Sequence, residues 1–260
     1  MARESKKTAA KSGIRWRLWF AIGIAAVVCV TTAAAAMKVR EYAVTDPQFT
    51  LSRYQKDALI IDGIRYASRA KVQHAFAQDF GRSIFSVPLG ERRRRLLAVD
   101  WVEEASISRV WPDRLVVRIR ERAPVAFVYF RAGILLIDAH GVLLDPPQQG
   151  QPVRFTFPVL SGVREEESES LREERVRAML RLQEDLGYMA KDISEVNAAD
   201  LENMRVIAKV DHRAVELILG DANFGRRYQN FLNHYAEIRK QSPDVKTFDL
   251  RLDDRITAKD

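Results

Sequence analysis

Four histidines, one cysteine and 35 carboxylates are the groups in this 260-residue chain that could do acid–base, nucleophilic or metal chemistry. His74, His140, His212 and His234 are scattered, and their separations match no metal-ligand pattern. Cys29 stands alone, which excludes an intrachain disulfide and a multi-cysteine zinc site. The chain contains no phosphate-binding loop ending in Gly-Lys-Ser/Thr, no Gly-x-Ser-x-Gly elbow and no His-Glu-x-x-His. Gly220 and Gly225 bracket a loop that feeds a helix, but no Lys or Ser/Thr follows as a phosphate site would need. With 23 acids after residue 123, some carboxylates must meet by chance, and no pair is singled out. The expectation is therefore a protein with no catalytic residue, no metal and no cofactor, whose work is binding.

Two features suit binding. Arg92, Arg93, Arg94 and Arg95 form the densest basic run outside the N-terminal tail. They fit either a solvated helix face or contact with lipid or an acidic partner. Near the C-terminus, 244–251 reads as a final strand, with Lys246, Phe248 and Leu250 on one face and Thr247, Asp249 and Arg251 on the other. A terminal edge strand offers unpaired backbone groups to another chain, whereas Asp249, Arg251 and Asp253 could equally be gatekeepers that prevent such pairing. Trp101 and Trp111 bracket a predicted strand and read as packing residues rather than ligand stackers.

The elements that must position these groups begin with a membrane segment. Leu18–Met37 is 20 residues long and uncharged. As a helix it spans about 30 Å, the thickness of a bilayer's hydrocarbon core. Thr31 and Thr32 can bond back to their own helix, and Trp16 and Trp19 suit the interface. Six bases precede the block, which predicts a cytoplasmic tail at 1–17 and an exported remainder. Ala34–Ala36 keeps a cleaved signal peptide in view, although the apolar block is long for one. The net charge of +7 divides accordingly into +5 in the tail, +6 over 38–123 and −4 over 124–260. Export and this division remove nucleic acid as a partner.

Within the exported part, Ala58–Gly63 reads as a strand and turn, and Ser68 caps a helix that Gly81 closes. Ser83–Val87 is strand-like, and Pro88 opens a second helix. Ala105–Ile107 and Arg114–Glu121 form a hairpin across Trp111-Pro112-Asp113. After Pro124 come strands at 125–129, 135–138 and 142–144, then an extended segment at 157–162 and a helix at about 171–186. A hairpin follows over 206–210 and 215–219, then a helix at about 224–240 and the final strand. This is an α+β chain, with a span at 18–37, a small β-α-α-β-β domain at 38–122 and a mainly antiparallel β domain with flanking helices at 123–260.

The chain resembles the bacterial FtsQ/DivIB cell-division family along nearly its whole length. Ile61-Asp62-Gly63 with Ser68–Phe80 resembles the opening of that family's POTRA domain. Asp100–Ala105, Arg109–Leu115 and Glu121–Ala126 resemble its hairpin and exit, while Leu136–Leu143, Phe157–Gly162 and Phe248–Arg251 resemble its β domain. The resemblance implies a non-enzymatic inner-membrane scaffold at the division septum that links early and late division proteins. It implies recruitment through the POTRA domain and binding of FtsB- and FtsL-like single-pass partners at Thr247, Phe248, Asp249, Leu250 and Arg251. Leu252-Asp253-Asp254 departs from the aromatic residue often found after that strand. A POTRA-bearing envelope chaperone is the alternative, though 137 residues after Ala123 are too few for the barrel such proteins precede. A membrane-anchored cell-wall hydrolase would need a paired site that the inventory does not offer.

Overall fold

The computed structural model describes residues 9–147, 155–253 and 255–259. Residues 1–8 of the basic tail lie outside the described residues, as does Asp254. The chain divides into two compact units: residues 1–62 with 73–94 and 106–118, and residues 63–72 with 95–105 and 119–260.

In the first unit, α1 runs from Ala9 to Thr45 and contains a stretch long and apolar enough to cross a membrane. The Thr31 hydroxyl donates to the Val27 carbonyl at 3.0 Å and that of Thr32 to Val28 at 2.8 Å, so neither exposes an unsatisfied group along the span. The helix continues past the uncharged block and ends where Asp46 caps a 3-10 turn, Pro47–Phe49. The chain over residues 50–58 forms no strand; Thr50 makes a single bridge to Ser83. β1 (Leu59–Asp62) runs parallel to β3 (Arg114–Glu121), and β2 (Val102–Val110) completes a three-stranded sheet in the order β1-β3-β2.

Two expectations need correction here. The helix after Ser68, α2, ends at His74 rather than near Gly81. From Gln73 onward the chain tightens into three-residue turns, including Phe76 N–H to Gln73 and Asp79 N–H to Phe76, and these aim Asp79 inward. The strand expected at Ser83–Val87 is a turn, whose only strand-like contact is the Thr50 bridge. α3 (Leu89–Leu97) follows as expected.

The second unit is built on a nine-stranded sheet ordered β12-β11-β10-β9-β8-β7-β4-β5-β6. Its strands are β4 (Pro124–Phe130), β5 (Gly133–Asp138), β6 (Leu143–Leu144), β7 (Val159–Ser161), β8 (Ile193–Asn197), β9 (Met204–Val210), β10 (Arg213–Gly220), β11 (Thr247–Asp249) and β12 (Thr257–Lys259). α4 (Glu169–Leu186) and α5 (Phe224–Gln241) lie against each other. Their apolar stripes share one core with Val206, Ala208, Leu217 and Phe248 from the sheet. Alternation in β9, with Met204, Val206, Ala208 and Val210 inward, fixes which face is covered. The β9–β10 hairpin turns on Asp211 and His212, both at positive φ, as a two-residue turn between twisted strands requires.

The residues that carry the family resemblance perform structural tasks. The Glu121 carboxylate accepts the backbone N–H groups of Arg65, Tyr66 and Ala67 at 2.9, 2.8 and 2.7 Å. Gly63 sits just before that loop, and a Cβ on it would lie 2.0 Å from the Ile119 carbonyl oxygen, so no other residue fits. The Arg122 guanidinium donates to Asp138 at 2.8 Å, and Asp138 also accepts the His140 and Val142 N–H groups. The Trp101 indole N–H donates to the Asp145 carbonyl at 2.9 Å, and its ring packs beside Tyr66.

Candidate partner-binding edge

None of the histidines faces a cluster that could do chemistry. His74, His140, His212 and His234 are all exposed. Among the described residues, no group of three or more His, Cys, Asp or Glu side chains is gathered closely enough to hold a metal.

The arginine run does not stay together. Arg92 is buried and donates to both oxygens of buried Asp79, from Nε at 2.5 Å and Nη2 at 2.8 Å. It is therefore removed from the surface run, and Arg93, Arg94 and Arg95 remain on the exposed face of α3.

The C-terminal strand differs more. β11 pairs in parallel with β10, and β12 pairs antiparallel with its other side, Thr247 opposite Lys259 and Asp249 opposite Thr257. β11 is therefore interior, and the edge belongs to Thr257, Ala258 and Lys259. The direction of each backbone group follows from two bonds. Leu250 N–H donates to Ile218, and Glu216 N–H donates to the Lys246 carbonyl. Residues 246, 248 and 250 thus face β10, while Thr247 and Asp249 face β12. In the antiparallel pair, the N–H and C=O of Thr257 and Lys259 then point at β11, and those of Ala258 point outward.

The side chains expected to meet a partner are used within the fold. Phe248 and Leu250 are in the core. The Thr247 hydroxyl donates to Glu216 at 3.2 Å. Asp249 receives Arg251 Nη2 at 2.7 Å and Lys259 Nζ at 3.2 Å, and Arg251 also reaches the Asn203 side-chain oxygen at 2.7 Å. Asp249 and Lys259 thus tie β11 to β12. Beside this edge, α5 and the β11–β12 connection enclose a pocket of about 320 Å³ that includes Arg226, Asn230, Asn233, Leu252 and Ile256. Sequence reasoning missed β12 and these α5 amides. The available signals were Ile256-Thr257 beyond the expected last strand, and the amides of exposed Gln229 and Asn233 and half-buried Asn230 away from α5's apolar stripe.

The description "POTRA domain, FtsQ-type" matches residues 57–122, and "Cell division protein FtsQ/DivIB, C-terminal" matches residues 126–251. The chain belongs to the FtsQ/DivIB family of cell-division proteins. It is 35% identical over 204 residues to the cell division protein FtsQ of Koribacter versatilis, an alignment covering 77% of this chain and 58% of that relative. It is 26% identical over 252 residues to that of Shewanella oneidensis, covering 94% of this chain and 87% of the relative. To that of Bordetella pertussis it is 36% identical over 80 residues, 31% of this chain and 29% of the relative. The chain thus spans somewhat over half the length of the Koribacter relative and most of the Shewanella one. The FtsQ/DivIB C-terminal match ends at Arg251, so β12 lies beyond it.

The Arg251 guanidinium, with help from Lys259, holds the Asp249 carboxyl well below the usual carboxylate range. A depressed folded-state pKa contributes stability that is present above the ordinary value of about 3.9 and is lost only as pH falls through the lower one. The tie between β11 and β12 is accordingly expected to survive at pH 4. Amide exchange at Thr257 and Lys259, corrected for intrinsic rates, should show equal protection at pH 4 and pH 7, and Asp249→Asn should lower it at both. Detachment centred near pH 4 in the native chain would contradict this.

Proposed function

We propose that the chain is a non-enzymatic scaffold of the division machinery in the inner membrane. α1 would cross the bilayer with its N-terminus in the cytoplasm, leaving both folded units outside. The scaffold would link early and late division proteins at the septum, with the POTRA domain directing recruitment. FtsB- and FtsL-like single-pass partners would add a strand at the C-terminal edge of the sheet. Family membership supports the division role, and one observation carries the binding mode. The sheet ends on a short strand, and the outward N–H and C=O of Ala258 have no strand on their other side among the described residues. On this reading the docking strand is Thr257–Lys259 instead of Thr247–Arg251, with β11 as its support.

Fluorescence localisation of a tagged full chain tests the proposal, with and without residues 255–260. Both forms should gather at mid-cell, and only the full chain should bring the FtsB- and FtsL-like partners there. A uniform envelope signal from the full chain would overturn the scaffold role. Partner recruitment by the truncated chain would overturn the edge.

A further inference from the structure

The first unit carries an exposed aromatic patch that neither the division role nor the sheet edge uses. Trp111, at the β2–β3 turn, is 66% exposed, and Val110 and Phe85 beside it are 39% and 37% exposed. Expected as a packing residue, Trp111 leaves most of its surface uncovered. The tip is nonetheless held firmly. Its ring lies 4.9 Å from that of Phe49, a buried side chain that also meets Phe85 edge-on at 5.3 Å. Arg109 donates from Nε to the Ile84 carbonyl at 2.7 Å and from Nη2 to Val87 at 2.9 Å, joining the end of β2 to the turn that carries Phe85.

The same cluster is fastened to the end of α1. Tyr42 packs edge-on against Phe49 at 5.9 Å and its hydroxyl accepts from Gln48 at 2.8 Å, while the Ser83 hydroxyl donates to the Ala43 carbonyl at 2.6 Å. These bonds tie the patch to the end of α1. The uncharged block ends at Met37, so at about 1.5 Å per residue Tyr42 stands about 7 Å beyond it. Hydrocarbon of about 30 Å within a bilayer of 40–45 Å leaves headgroup layers of about 5–8 Å on each side. With the hydrocarbon ending at Met37, Tyr42 would lie at headgroup depth, and Trp111 is the second ring beyond it, reached through Phe49. Indole rings favour that region, where the apolar body is shielded and the N–H stays wet. Lys38, Arg40 and Arg82 in these segments are balanced by Glu41, Asp46 and Asp113, so the attraction to the interface comes from the aromatic rings rather than from net charge.

We propose that Trp111 and Phe85 form an interfacial anchor that seats the β2–β3 hairpin tip in the lipid headgroup layer. The membrane contact of this unit is then aromatic, at the hairpin tip, rather than the arginine run of α3. This rests on α1 spanning the bilayer, and the test keeps the two separable.

The full chain carrying Trp16→Phe and Trp19→Phe is reconstituted into phosphatidylcholine–phosphatidylglycerol vesicles. Its only remaining indoles are Trp111 and the buried Trp101. Lipids brominated near the top of the acyl chain should quench its emission, and adding Trp111→Phe should abolish that quenching. Iodide should quench the Trp111-dependent emission less in vesicles than in urea. If brominated lipid leaves this emission unchanged while iodide quenches it in vesicles, the patch faces water or a protein partner and the anchor is wrong. A separate chain retaining Trp16 and Trp19 but carrying Trp111→Phe reports the span alone. Loss of lipid quenching there would overturn the spanning helix, and the anchor with it.

Discussion

Ala258→Pro is expected to weaken binding of the proposed FtsB- and FtsL-like partners on the order of 100-fold, equivalent to about 3 kcal/mol, while the second unit stays folded. Ala258 is the residue of β12 whose N–H and C=O point away from β11. Proline there removes the outward donor and places its ring where an incoming strand would lie. The lost bond alone is worth about 1 kcal/mol net, and exclusion of the strand accounts for the larger effect. The bonds to β11 belong to Thr257 and Lys259, so they survive, and the extended conformation that proline imposes on Thr257 is the one a strand residue already has. Thr257→Pro makes the informative contrast. It removes an inward donor opposite Asp249, so it should free β12 and raise amide exchange there as well as weaken binding. Calorimetric titration of the purified full chain with the partner's periplasmic segment separates the two. Native affinity in a folded Ala258→Pro chain would show that the partner binds elsewhere.

The features legible in the sequence were those encoded along one dimension. Twenty uncharged residues announce a span, and the 4, 3, 1, 3, 3 spacing of Phe224, Tyr228, Phe231, Leu232, Tyr235 and Ile238 announces α5. Trp111-Pro112-Asp113 between two alternating runs announces a hairpin. Edge status is different, because it is a property of a strand's neighbours. Asp249 and Arg251 read as gatekeepers of an open edge, yet the same charges serve β12, with Lys259 reaching Asp249 across the pair. Three residues, Thr257-Ala258-Lys259, are too few to show a period. β8 escaped notice for a related reason. Ile193-Ser194-Glu195-Val196-Asn197 presents two apolar residues, and its pairing with β7 and β9 supplies the rest. The arginine run, by contrast, could have been divided from sequence. Four consecutive helical residues sweep about 300°, so at least one of the four had to approach the core. Leu89 and Leu96, at i−3 and i+4 from Arg92, mark which one.

Removing that arginine should be the most damaging single change to the first unit. Arg92→Ala is expected to destabilise it by about 3–5 kcal/mol, because it strands the buried Asp79 carboxylate without its partner. The Arg92 guanidinium is held more firmly protonated than an ordinary arginine, chiefly by its hydrogen bonds to Asp79 and against the cost of burial. Replacing both residues, as Asp79→Leu with Arg92→Met, should recover most of the loss, since apolar groups of similar size bring no stranded charge. Arg94→Ala, on the exposed face, should change stability by less than about 0.5 kcal/mol. Hydrogen exchange of the full chain in vesicles reads all three variants at the amides of Gly81 and Ile84, which bond to Leu51 and Phe49. Those amides matter because Asp79 lies at the root of the turn that carries Ser83 and Phe85. If the pair holds that turn in place, Arg92→Ala should loosen the contact of Ser83 with α1 and reduce lipid quenching of Trp111, whereas Arg94→Ala should leave it intact. Equal stability of Arg92→Ala and the native chain would mean that water reaches Asp79 and the pair is not holding the turn.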